Sequence, residues 1–202
     1  MRTLLILSYL ILSTTLLAQV ESTLLSESAE SQKELNESYL NQETSILEID
    51  DFKKFEGLEF YPLDSKYIVR AQFIRTPNEQ PFLMPTSTSR LPEYVKYGEA
   101  HFYLEDKELI LSLYQSTDLA KDSEYADYLF LPFTDLTSGN GSYGGGRYLD
   151  LKIPEGDTLI IDFNKAYNPY CAYNSKYSCP IPPEENDILV RIEAGVKDYK
   201  KP

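Results

Sequence analysis

Histidine occurs once in this 202-residue chain, cysteine twice, and Lys and Arg together number 19 against 32 Asp and Glu. Each shortage removes a class of function. A nucleophilic triad would have to use His101, which in AHFYLED is in phase with Tyr103 and Glu105 and belongs to the more polar face. Ser142 lacks the glycine two residues earlier that a nucleophile elbow requires. Two cysteines without a neighbouring histidine fall short of the four ligands of a structural zinc site. A formal charge of −13 repels phosphate backbones and anionic lipid, which argues against nucleic-acid and polybasic membrane partners. No apolar run reaches the roughly 20 residues of a spanning helix.

The one extended apolar run, residues 4–17 of MRTLLILSYLILSTTLLAQ, follows a single arginine and ends in small and polar residues. This is the pattern of a cleaved export signal, and the expected cut is after Ala18, giving a periplasmic or secreted protein with no membrane insertion after cleavage. The alternative, an uncleaved anchor, is opposed by Ser8, Ser13, Thr14 and Thr15 within the run. The first cysteine after it is Cys171, so no lipid attaches at a cysteine beside the cut. Residues 21–51 then carry nine acids opposed only by Lys33, which reads as an acidic, mostly disordered tail or a frayed helix over residues 19–51. What remains, residues 52–202, is one ordinary domain.

From Phe60 onward the apolar residues alternate and are bounded by Gly, Pro, Asn and Asp. Tyr67, Val69, Ala71 and Phe73 share a face; so do Leu109, Leu111 and Leu113, then Leu159, Ile161 and Phe163, then Val190, Ile192 and Ala194. With about nine strand candidates and no amphipathic helix between them, the expected fold is all-β, an antiparallel β-sandwich or a partly closed β-barrel. Asp135 is in phase with Leu129, Leu131 and Phe133, and Arg147 with Leu149, Leu151 and Ile153, so both charges point inward at the ends of strands joined by LTSGNGSYGGG. They either pair to brace the hairpin or line a wet cleft in which the arginine forks onto a ligand.

The stretch DFNKAYNPYCAYNSKYSCPIPPEEN concentrates tyrosine, asparagine and both cysteines. Asp162, Asn164 and Asn168 lack the glycine and closing glutamate of a calcium loop, so no metal is expected. GNGSYG matches G-x-G-x-x-G but leads into a strand, not a helix, and is a hairpin tip, so no nucleotide cofactor is expected. Cys171 and Cys179 enclose nine residues. In an exported chain a disulfide is expected, contributing roughly 2.5 kcal/mol by chain entropy; free thiols or a redox pair are the alternatives. Tyrosines beside Asn and Asp can stack on and hydrogen-bond a sugar or another polar ring, or simply satisfy loop backbone.

Four segments, this stretch with LFLPFTDLTSGNGSYGGGRYLDL, TSTSR and the terminal IEAGVK, together resemble the bacterial domain-of-unknown-function family 1684 in its short, single-domain form, over residues 55–197. The resemblance implies that Asp135, Tyr143, Arg147, Asp162, Asn164, Tyr167, Asn168, Cys171, Cys179, Asn186 and Gly195 fall on the family's pattern, while Ser89 and Val196 depart from it. It implies boundaries and positions, not chemistry. The residue reading therefore rests on a non-catalytic binding domain for a small polar or glycan-like ligand, in a cleft of Arg147, Asp135, Asp162, Asn164, Tyr167, Asn168 and Tyr143. The alternatives are a hydrolase using Asp135 and Asp162, and a cell-envelope interaction protein acting through the acidic tail.

Overall fold

The computed structural model describes residues 2–200. A long helix, α1 (Arg2–Leu40), and a single turn, α2 (Ile49–Phe52), precede eight strands. These are β1 (Ile68–Arg75), β2 (Phe82–Leu83), β3 (Glu93–Leu104), β4 (Lys107–Ser116), β5 (Tyr128–Asp135), β6 (Arg147–Lys152), β7 (Thr158–Asp162) and β8 (Asp187–Ile188). Six of them form one antiparallel sheet in the order β6-β5-β4-β3-β1-β7, curled into a half-barrel. Of the two expected architectures, the partly closed barrel is the one formed. Its end strands β6 and β7 are not paired with each other, which leaves a seam along one side.

Period-two alternation places the core as expected. Tyr67, Val69, Ala71, Leu111, Leu113, Leu129, Leu131, Phe133, Leu159 and Ile161 are all buried in one cluster. The tight β3–β4 turn puts Glu105 and Asp106 at φ of 51° and 61°, a primed turn whose twist matches the flanking strands.

Two expectations change. Of the two readings of the acidic segment the helix is the one formed, and it is not a loose one: residues 19–40 belong to α1 and bond into the domain. Ser28, Gln32, Asn36 and Tyr39 recur every third or fourth residue along one side; Ser28 and Tyr39 are buried, while Glu21, Glu27, Glu30, Glu34 and Glu37 stay exposed. That stripe escapes a hydropathy reading because three of its members are polar and bond into the domain. Gln32 donates to the Asn164 carbonyl at 2.8 Å, the Leu58 amide donates to Asn36 at 2.7 Å, and Tyr39 packs edge-on against Tyr173 at 4.8 Å. Among the described residues no helix is long and apolar enough to cross a membrane. The expected export signal, residues 1–18, lies outside the residues whose side chains are described.

Second, residues 189–194 are not a strand, although Val190, Ile192 and Ala194 are buried as the alternation requires. Side chains replace the missing ladder: the Ile192 amide donates to Asp135 Oδ2 at 2.7 Å, and Arg147 donates to the carbonyls of Ile192 and Ala194. Within the sheet, β4 and β5 share a single register pair, Tyr114 with Phe130, because Pro132 has no amide to offer the ladder. Asn186 fills that gap. It donates to the carbonyls of Ser112 and Pro132 at 2.9 and 2.7 Å and accepts the Ser112 amide at 2.7 Å.

Candidate functional site

The glycine-rich connection after β5 is an ordered clamp. Gly146 takes φ of 87°, and a Cβ there would lie 2.6 Å from the Phe133 carbonyl, so only glycine lets β6 start so close to β5. Arg147, the first residue of β6, is wholly buried, its Nη2 3.2 Å from Asp135 Oδ1. Asp135 also receives the Thr137 hydroxyl at 2.9 Å and the Thr137 amide at 3.1 Å. Burial pulls the Arg147 pKa down and the Asp135 charge opposes that pull. The expected ligand-facing guanidinium is thus a brace between β5, β6 and the C-terminal segment, with its carbonyl and carboxylate contacts supplied by the protein. Asp135 is likewise bonded within this clamp and is not among the residues that line the trough at the seam with Asp162, while the buried Nε of Arg147 has no hydrogen-bond partner among the described residues.

Asp162 ends β7 and anchors α1. It accepts Ser28 Oγ at 2.6 Å, and at its other oxygen the Asn164 amide and side chain at 3.0 and 2.9 Å. Asn164 is wholly buried and also bonds both ways with the Asp64 backbone. Replacing Ser28 by Ala removes the hydrogen-bond donor of one oxygen of a buried carboxylate, leaving it only the Lys165 ammonium at 3.8 Å, and should lower stability by about 1–2 kcal/mol in urea unfolding. Asn168, buried as well, donates to Tyr173 Oη at 3.1 Å and to the Lys197 carbonyl at 2.9 Å. These two asparagines do structural work in the loop.

At the seam, α1 roofs a trough of about 730 Å³. Its floor is Leu149 and Leu151 of β6 with Ile160 of β7, its roof Leu24 and Leu35, and its polar rim Glu27, Ser31, Glu34, Asp150, Asp162, Lys165, Tyr167 and Tyr170. The loop after β7 closes one end by returning to β6, where Tyr148 and Tyr167 exchange backbone hydrogen bonds of 2.9 and 3.1 Å. Tyr128 and Tyr167 donate to Asp150 Oδ1 at 2.6 and 2.8 Å. Burial, aided by the Asp150 charge, pushes both phenols up, so both remain protonated donors. Lys165 stands 3.8 Å from Asp162 and 4.0 Å from Glu27. Among the described residues these carboxylates do not group as a metal-holding cluster.

Of the sequence-derived site, only Asp162 and Tyr167 line this trough. The residues missed are Asp150, Lys165, Tyr170 and those of α1. Asp150 had a signal: in RYLDLKI it is out of phase with the buried Arg147 and Leu149, and β6 is an edge strand beside the seam.

Tyr143 faces elsewhere, toward the cysteines. Cys171 and Cys179 are free thiols, not the expected disulfide. The Cys171 amide donates to Cys179 Sγ at 3.1 Å, an arrangement that holds the sulfurs close without bonding them. TSTSR clamps this spot: the Cys179 amide donates to Ser87 Oγ at 3.1 Å, and Arg90 Nη2 donates to the Ser178 carbonyl at 2.8 Å. Hydrogen bonds from Cys179, then from Ser87 and Tyr143, hold the Cys171 thiol down to about 6 against the effect of burial.

The family described as "Protein of unknown function (DUF1684)" matches residues 53–197. The solution NMR structure of an uncharacterized protein of Haloarcula marismortui is similar to this chain with a TM-score of 0.69 and 27% identity, covering 89% of this chain and 96% of its own. No curated protein matches. In IEAGVK, Val196 is buried and bridges to Phe60, so an apolar side chain suits its place.

Proposed function

Starting from the fact that the chain belongs to the DUF1684 family, whose description names no activity, we propose that it is a binding protein for a small, uncharged, polyhydroxylated ligand of the carbohydrate class, held in the seam trough. One observation carries the reading: an apolar floor meets a rim of hydrogen-bonding side chains and the 44% exposed ring of Tyr170. An aromatic face with an apolar patch suits the C–H face of a sugar, while carboxylates and Ser31 suit its hydroxyls. Glu27, Glu34, Asp150 and Asp162 against the single ammonium of Lys165 make the trough a poor host for anions, so a carboxylate or phosphate ligand is disfavoured.

Export belongs to the same proposal. The α1 residues that bond into the domain, Ser28, Gln32 and Asn36, all follow Ala18, so cleavage there preserves the roof. Thermal-shift titration with neutral mono- and disaccharides, and with their carboxylate and phosphate derivatives, tests the reading. Neutral sugars should raise Tm with a logarithmic dependence on concentration above Kd, by the equivalent of about 2.7 kcal/mol at a hundredfold excess over Kd. Tyr170→Ala should abolish the shift, while the ligand-free Tm falls only by the loss of its edge-on contact with Tyr177, about 1 kcal/mol. Stabilisation by the anionic derivatives alone, or a shift that survives Tyr170→Ala, would refute it.

A further inference from the structure

Where the loop after β7 closes the trough, one residue of β6 offers both side-chain and backbone groups that the protein leaves free. The Asp150 carboxylate is fixed at a single oxygen: Tyr128 and Tyr167 donate to Oδ1 at 2.6 and 2.8 Å. Its other oxygen, Oδ2, has no partner among the described residues, and Asp150 is exposed and lines the trough. The backbone adds to this. Tyr148 gives its N–H and C=O to Tyr167, not to Pro132 opposite it in β5. Ladder groups alternate direction along a strand, so those of Asp150, two residues on, also leave the sheet at this edge. Strand β6 ends the sheet, and no strand takes them up.

Tyr170 lines the trough with Asp150, its half-exposed ring held edge-on by Tyr177 at 5.2 Å. Tyr167, three residues earlier, touches Asp150 directly. Burial and then the Asp150 charge push the Tyr170 phenol up, so ring and carboxylate lie within each other's field. An aromatic face holds a pyranose by the C–H groups of one side and leaves the hydroxyls at the ring's edge. A carboxylate beside that edge accepts a hydroxyl in a charge-assisted bond, about twice as strong as a neutral one.

We propose that Asp150 determines the specificity of the trough and selects a sugar with two adjacent free hydroxyls, one donating to Oδ2 and the next accepting from the Asp150 amide. The selection rests on a sugar being the trough's ligand, and it names which sugars fit. Tyr128 and Tyr167 are positioning residues: with Oδ1 held by both, Oδ2 meets the ligand at little further loss of side-chain freedom. A sugar lacking either hydroxyl leaves the carboxylate oxygen or the amide unpaired beneath the bound ring, and that unpaired group is the source of discrimination.

Calorimetric titration of the full chain with glucose, galactose and mannose, and with each of their monodeoxy derivatives, tests this. For the sugar that binds best, removal of either of two adjacent hydroxyls should weaken binding about tenfold, and removal of the others should change it little. Asp150→Asn keeps an oxygen for both phenols and turns the free acceptor into a donor. It should leave the ligand-free Tm close to that of the parent, weaken the best sugar about tenfold, and erase the further loss on removing the hydroxyl that gave to Oδ2. Tyr128→Phe alters nothing that lines the trough, yet should blunt the discrimination between the sugar and that deoxy derivative several-fold, which a merely structural tyrosine would not do. The deoxy series on the parent needs no substitution and decides the hydroxyl pair by itself. A sugar whose binding needs Tyr170 but not Asp150 would keep the sugar proposal and overturn this one. So would deoxy sugars bound alike at every position, or discrimination untouched by Tyr128→Phe. No binding by any sugar of the set would sink both.

Discussion

Arg147→Met lowers the stability of this protein by about 3–5 kcal/mol, read as a fall in the urea midpoint with the far-ultraviolet signal of the native sheet retained before the transition. The reason is what the methionine leaves behind. The Asp135 carboxyl loses its guanidinium partner at zero side-chain exposure, the carbonyls of Ile192 and Ala194 lose their donors, and residues 189–194 have no strand ladder to fall back on. The Thr137 and Ile192 amides that still reach Asp135 offset part of that penalty. Arg147→Met combined with Asp135→Leu removes the orphaned charge, and the double variant should recover part of the loss relative to the single one. A single variant as stable as the parent would mean that the guanidinium braces nothing. Loss of sugar binding without loss of stability would mean that Arg147 works in a ligand site after all.

Asn186→Ala is the second large effect, about 3 kcal/mol, because three buried backbone groups lose their partner at once: the Ser112 amide and the carbonyls of Ser112 and Pro132. The site has no local alternative, since β4 and β5 share one register pair and Pro132 brings no amide. Asn186→Asp separates shape from bonding. The carboxylate has the same outline but no N–H for the two carbonyls and adds a buried charge, so it should be no better than alanine. Urea unfolding of the three proteins side by side checks this; an Asn186→Asp variant close to the parent in stability would show that the amide bonds are dispensable.

Both cases show one habit of this fold: buried polar side chains stand where backbone ladders are missing. That habit explains how much could be read beforehand. The pairing of Asp135 with Arg147 was legible, because phase puts both inward and a short connection brings their strands together. The alternation at Val190, Ile192 and Ala194 was legible as burial but not as structure, since an extended segment held by an arginine and an aspartate has the same period as a strand. The tyrosine and asparagine loop was legible as a dense polar region. Its division of labour was not: Asn164 and Asn168 face the interior while Tyr170 faces the trough.

Strand identity, inward phase and the nearness of two cysteines eight residues apart follow from local order in the chain, because alternation and short loops act over a few residues. The docking of an acidic helix, the seam it roofs and the bond of Ser87 to the Cys179 amide follow from packing alone. The Ser28 to Asp162 bond joins residues 134 positions apart, and no local period records a contact of that range. Its partners are polar, so hydropathy is silent about them; what puts them together is the curl of a sheet whose two end strands leave each other unpaired.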